Sequence, residues 1–289
     1  ITGTTGILTA SSYSITNASG ASTLSARLAG TSNQTALTKS GEGILILSGL
    51  NSYIGGTTIN SGTLRFGVAD VLADSGLLNI TSGILDIAGY SDTVGTVTVS
   101  GGDITGTTGI LTASGYSITN ISGTSTISAK LAGKTGQVIL TKSGAGIVIL
   151  SGENSYTGGT TVNSGILRFG VANALADSGL INVTGGILDI AGYNDTVGSV
   201  TVSGGDIIGT TGTLTATSYS ITNTAGTSTL SAKLAGTSSQ TALTKSGEGI
   251  LILSGLNSYT GGTVINNGTL HLGVDNVLAD SGIITVTGG

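Results

Sequence analysis

The sequence predicts an all-β protein, a parallel β-helix of about 14 coils of about 20 residues each. Three observations carry that prediction: a gapless 103-residue repeat, a finer spacing of 19 to 23 residues inside it, and two aliphatic columns that run through the finer repeats.

The long repeat comes first. ITGTTGILTASSYSITN from Ile1 returns as ITGTTGILTASGYSITN at Ile104 and IIGTTGTLTATSYSITN at Ile207. Residues 1–83 and 207–289 share 63 identities, and Lys39, Lys142 and Lys245 correspond, as do Tyr13, Tyr116 and Tyr219. The chain therefore divides into repeat unit 1 (1–103, five coils), repeat unit 2 (104–206, five coils) and a truncated unit 3 (207–289), read as one continuous solenoid and as a fragment of a longer protein.

Within a unit, each coil is announced by a Gly or Ser followed by an apolar alternation: TLSA after Ser22, ILIL after Gly43, TLRF after Gly62, ILDI after Gly83 and DITG after Gly102. Strand side chains alternate between faces, so residues two and four after the marker point inward and residues one and three outward. The inward position reads Leu24, Leu45, Leu64, Leu85, Ile104, and then Ile127, Val148, Leu167, Leu188, Ile207. A second column reads Ile15, Leu37, Ile59, Ile80, Val99, and then Ile118, Leu140, Val162, Val183, Val202. Two columns predict two stacked sheets. Links such as NSG, TSG and SGG join them, with Gly taking the left-handed backbone of a sharp corner. VADVLADSG, VANALADSG and VDNVLADSG read as loops.

Composition excludes several classes. Gly accounts for 51 of 289 residues, charged residues for 8%, and Pro, Cys, Met and Trp are absent. Low charge with positive mean hydropathy argues against disorder. Lack of cysteine removes disulfides, thiolate metal sites and cysteine nucleophiles. A net charge of −5 without a basic cluster makes nucleic acid a poor partner, and no apolar run is long enough for this segment to insert in a membrane.

The segments LTKSGEGILILSGLNSYIGGTTINSGTLRFG from Leu37, LTKSGAGIVILSGENSYTGGTTVNSGILRFG from Leu140 and LTKSGEGILILSGLNSYTGGTVINNGTLHLG from Leu243 resemble the autotransporter-associated β-strand repeat of bacterial passenger domains. That resemblance implies a right-handed parallel β-helix, an origin in a large repetitive surface protein, and an extracellular location on the surface of a Gram-negative cell.

Candidate chemistry is sparse. His271 stands where the other units carry Arg65 and Arg168, which is repeat drift rather than a catalytic imidazole. Asp74, Asp86, Asp92 and Asp103 return as Asp177, Asp189, Asp195 and Asp206, and an active site tiled every five coils is not how polysaccharide-degrading β-helices are built. No catalytic residue, cofactor or metal ligand is expected. Asn51, Asn154 and Asn257 read as turn residues bonding their own backbone, with the adjacent Tyr covering an apolar corner.

Two sets of residues stand out. Arg65 and Asp86, and again Arg168 and Asp189, fall at the same outward offset on successive coils, which predicts inter-coil ladder pairs that fix register. Ile44 with Ile46, Ile147 with Ile149, and Ile250 with Ile252 form an outward apolar stripe, a candidate assembly surface unless a loop covers it. The outward column Thr23, Ile44, Thr63, Ile84, Asp103 is too interrupted for an ice-binding array.

The functional expectation is a non-enzymatic extracellular structural or adhesive segment. Its expected partners are other copies of itself, end to end or side by side into fibres, and host or neighbouring-cell surfaces. A passive stalk displaying a functional tip is the alternative, and a polysaccharide-degrading β-helix the remote one.

Overall fold

The computed structural model describes residues 1–3 and 6–288; Thr4 and Thr5 of the opening TGTTG, and Gly289 at the end of the truncated unit, lie outside the described residues. The chain forms two compact units, Ile1–Val138 and Ile139–Gly289. Among the described residues every regular element is a β-strand, none longer than four residues, and every pairing is parallel.

In the first unit one face of the solenoid stacks Ala21–Leu24, Ile44–Leu47, Thr63–Phe66, Ile84–Asp86, Asp103–Thr105 and Thr124–Ile127. A second face stacks Tyr13–Thr16, Leu37–Ser40, Thr57–Ile59, Leu78–Ile80, Thr96–Val99 and Gly115–Ile118. The second unit repeats the plan with seven strands on the first face, Ile147–Leu150 to Thr269–Leu272, and eight on the second, Ile139–Lys142 to Ile284–Val286. Six and eight second-face strands make 14 coils.

A third face, beyond the two expected sheets, is present in only some coils. Ile7–Ala10 pairs with Arg27–Gly30, Asp92–Thr93 with Ile110–Ala113 and then Lys130–Gly133, and Asp195–Thr196 with Thr213–Ala216 and then Lys233–Gly236. These strands interrupt and restart once per 103 residues, so no continuous column announces them.

Alternation sets the core. Leu45, Leu64, Leu85 and Ile104 are register partners in sequence and all buried, as are Val148, Leu167, Leu188 and Ile207. Two details of the expected columns are corrected. Leu24 pairs with Leu47, not Leu45, so Ala21 rather than Thr23 adjoins Ile44. On the second face Ile15 pairs with Lys39 and Lys39 with Ile59, while Leu37 lies between Tyr13 and Thr57; in the second unit Lys142 pairs with Val162, and Leu140 with Thr160. Both slips are of two residues. A shift of two keeps every side chain on its face, so the apolar pattern cannot detect it.

Corners are made by close backbone approach. Gly102 has φ +74°, and a β-carbon there would come within 1.9 Å of the Gly83 carbonyl oxygen of the preceding coil. The VADVLADSG loop closes against the core through buried Val71 and Leu72, with Asp70 at φ 54°.

Candidate functional site

The outward surface of the first face carries the sequence-predicted residues. Arg65 and Asp86 are register partners, and Arg65 Nε lies 2.7 Å from Asp86 Oδ2; Arg168 and Asp189 meet at the same distance. Each aspartate also does something the sequence did not show. Asp86 Oδ1 accepts the backbone N–H of Ala88 at 2.9 Å, and Asp189 Oδ1 that of Ala191 at 2.8 Å. Those alanines have φ 50°, so the carboxylate fastens a left-handed turn that alanine disfavours.

The isoleucine stripe lies beside these pairs. Ile46 is flanked by Thr23 and Arg65, and Ile149 pairs with Arg168. Ile44, Ile46, Ile147, Ile149 and Ile252 are half-buried, while Ile250, between Thr227 and Thr269, is 40% exposed. In the second unit Ile166 completes a file, Ile147–Ile166–Ile187, where the first unit has Thr63. Neighbours in a file cover one another's flanks, which accounts for much of the half-burial.

Behind the sheets lies a lysine corner. Lys39 is 0% exposed, and its Nζ donates to the carbonyls of Ser40 (3.0 Å), Gly41 (2.6 Å) and Ser61 (3.1 Å). Lys142 donates to Gly144 and Ser164, and Lys245 to Gly247 and Asn267. The stem fills the aliphatic column and the ammonium reaches the turn linking the two faces. Gly62, Gly165 and Gly268, at φ +63°, +68° and +75°, complete the cage; a β-carbon there would meet the ammonium at 2.6–2.8 Å. Burial pushes the Lys142 ammonium down to about 8, and those of Lys39 and Lys245 downward too, Glu42 opposing the shift at Lys39.

Buried Asp92 and Asp195 are the acidic counterparts. Asp92 Oδ2 accepts the N–H of Leu72 at 3.0 Å and Asp195 Oδ2 that of Leu175, tying down the LADSG loops. Burial pushes both carboxyls up to about 7, with Asp70 and Asp177 adding in the same direction and the backbone hydrogen bonds opposing it.

Asn51 is corrected from a self-bonded turn residue to a bridge between coils. Its Oδ1 accepts from Leu28 N–H at 2.8 Å and its Nδ2 donates to Val71 carbonyl at 2.8 Å; Asn257 bridges Leu234 and Val277 likewise. The amide thus continues the hydrogen-bond ladder where the third face ends. Asn154 does bond nearby backbone, at Gly152, as well as Ala174. Tyr53, Tyr156 and Tyr259 are buried, each hydroxyl about 3 Å from a Thr hydroxyl (Thr57, Thr160 and Thr263). Tyr13 and Tyr219 pack against Tyr53 and Tyr259 at 5.9 and 6.0 Å and donate to third-face carbonyls.

Among the described residues no three His, Cys, Asp or Glu gather closely enough to hold a metal ion, and no helix is long and apolar enough to cross a membrane. His271 is the register partner of Ile252, on an exposed strand.

Residues 37–66, 140–169 and 243–272 each match the passenger-associated-transport-repeat family. Each match runs from the strand bearing the corner lysine, through the bridging asparagine and buried tyrosine, to the strand carrying Arg65, Arg168 or His271. The chain is also 34% identical over 218 residues to the adhesin BmaC autotransporter of Brucella suis biovar 1 (strain 1330). That alignment covers 69% of this chain, which spans 6% of the relative's length. No solved structure matches the chain.

Proposed function

We propose, from the premise that the chain carries three autotransporter passenger repeats, that it is a non-enzymatic adhesive and structural segment of a bacterial surface protein, displayed outside the cell. The observation that carries this reading is the three passenger repeats, each spanning the same corner lysine and bridging asparagine, together with similarity to an adhesin across most of the chain. The buried charges support it too, since carbonyls and backbone N–H groups occupy them in structural roles.

The test is cell adhesion. The purified segment, coated on beads, is expected to hold beads on host epithelial cells above the level of albumin-coated beads. Beads that stay at the albumin level favour the stalk reading, in which adhesion resides elsewhere in the parent protein. Release of reducing ends from bacterial or plant polysaccharides by the segment would overturn the non-enzymatic reading. Self-association through the isoleucine files is a companion proposal, supported by Ile147–Ile166–Ile187; sedimentation over a hundredfold concentration range is expected to show oligomers that Ile147→Ser and Ile250→Ser reduce.

A further inference from the structure

The nine Lys and Arg residues sort into distinct roles. Lys39, Lys142 and Lys245 are caged, Arg65 and Arg168 are ion-paired, and Lys134 donates to the Asp74 carbonyl. Arg27, Lys130 and Lys233 remain, and among the described residues they are the Lys and Arg side chains with no protein partner. They occupy one position of each repeat, the first residue of the last third-face strand: Arg27–Gly30, Lys130–Gly133 and Lys233–Gly236. A surface short of cations has thus left the same one unpaired in every unit.

Each of two of these cations lines a hollow. In the second unit Lys233 borders a hollow of about 210 Å³ with Thr211, Ser231, Ser254 and Leu256. In the first, Arg27 borders one of about 410 Å³ with Ser25, Ser48 and Leu50. Five lining positions correspond by repeat (Ser25/Ser231, Arg27/Lys233, Ser48/Ser254, Gly49/Gly255 and Leu50/Leu256), while exposed Ile7 adds a second apolar side chain to the first hollow and Thr210 and Thr211 add hydroxyls to the second. Gly255, on the floor, lies so close to the coil below that a β-carbon would meet the Ala232 carbonyl oxygen at 2.2 Å; Gly49 lies likewise against Ala26, at 2.4 Å.

We propose that these hollows bind acidic sugar residues of a host-cell glycan. The guanidinium or ammonium would take the carboxylate or sulfate, the Ser and Thr hydroxyls the ring hydroxyls, and Leu50 or Leu256 the apolar face of the sugar. An acidic peptide fits less well. Peptides gain affinity by extending a sheet edge, and here the edge is closed: Asn257 Oδ1 accepts from Leu234 N–H, and Ser258 N–H donates to the Leu234 carbonyl. Asn51 and Ser52 close the Leu28 edge in the same way. In the middle repeat Glu153 stands at the position of Leu50 and Leu256, so the Lys130 position lacks the apolar wall and carries an opposing charge, and the Arg27 and Lys233 hollows are the proposed sites. This proposal rests on the adhesive reading and gives it a ligand class.

The test measures binding of hyaluronan oligosaccharides (carboxylate) and heparin oligosaccharides (sulfate), with neutral dextran as control, by calorimetry at low and moderate salt. Expected is binding to at least one acidic glycan, none to dextran, weakening with salt. The double variant Arg27→Ala, Lys233→Ala should lose affinity at least tenfold, with melting unchanged because the side chains are unpaired. Undiminished binding in that variant, no binding to either acidic glycan, or salt-sensitive binding of poly-glutamate alone would each overturn the proposal. Adhesion to cells that persists after enzymatic removal of acidic glycans would overturn it while leaving the adhesive reading in place; loss of adhesion altogether in the unaltered segment would remove the adhesive reading instead.

Discussion

Arg65 and Lys39 show two ways of placing a positive charge on the same solenoid. Arg65 stands on the outer surface, its side chain 44% exposed, and meets a carboxylate one coil away. Lys39 stands in the inner column, wholly buried, and meets carbonyl dipoles instead of a counter-charge. The exposed pair works in high dielectric and is worth about 0 to 1 kcal/mol, so it specifies register more than it stabilises. The buried ammonium carries the full cost of desolvation, and only a complete cage offsets it. An exposed cation can leave its remaining donors to water, whereas a buried one must find protein acceptors for them.

Four perturbations press on that contrast. The largest effect should come from Leu85→Asp, which puts a carboxylate in an inner column that offers no cage; a loss of more than about 4 kcal/mol, with local unfolding seen as lost amide-exchange protection across coils of the first unit, is expected. Next, Lys142→Ala should cost about 3 kcal/mol by denaturant melting, since it leaves the Gly144 and Ser164 carbonyls without their donor and opens a cavity. Lys142→Met, which keeps the stem, should cost less. A Met variant as stable as the unaltered chain would mean the cage contributes nothing beyond packing.

The buried acids give a smaller, pH-dependent effect. Asp92 and Asp195 titrate at about 7 in the fold against 3.8 unfolded, so between those values the folded state holds protons that the unfolded state has released. Stability should therefore fall as pH rises from about 4 to about 7, by on the order of a few kcal/mol per carboxyl at about 1.4 kcal/mol per pH unit. Asp92→Asn with Asp195→Asn should flatten that slope in melts across the window; an unchanged slope would show that the carboxyls ionise freely in the fold. Smallest is Arg168→Ala, at about 0 to 1 kcal/mol and shrinking with salt. Asp189→Ala should exceed it, because that carboxylate also fastens the Ala191 turn. Identical melts for the two would reduce Asp189 to a simple ladder partner.

The same contrast explains what could be read from the chain. The ladder pairs were legible because opposite charges recur at one offset from a marker glycine, and Leu45, Leu64 and Leu85 because a strand exposes only alternate residues to the core. Lys39 was not. A pattern of polar and apolar letters assigns a lysine outward, and Leu37, two residues earlier on the same face, offers a plausible aliphatic substitute. The third face escaped because its strands last two or three coils and end on side-chain amides such as Asn51, which the sequence presents as one more turn residue. Burial of Asp92 escaped because it depends on where the LADSG loop folds back, and nothing local to Asp92 records that. The acidic-sugar hollow has a cation visible in the sequence only after every other cation has been given its partner.

The 103-residue period has a bearing on inheritance. Because the contacts of each coil recur five coils on, a gene that gains or loses one whole repeat by recombination between near-identical copies encodes a chain in which each coil still meets a neighbour of the kind it had before, each corner lysine still finds its glycine, and each arginine position still faces its aspartate. The number of repeats is then free to vary between generations at almost no folding cost, in steps of five coils.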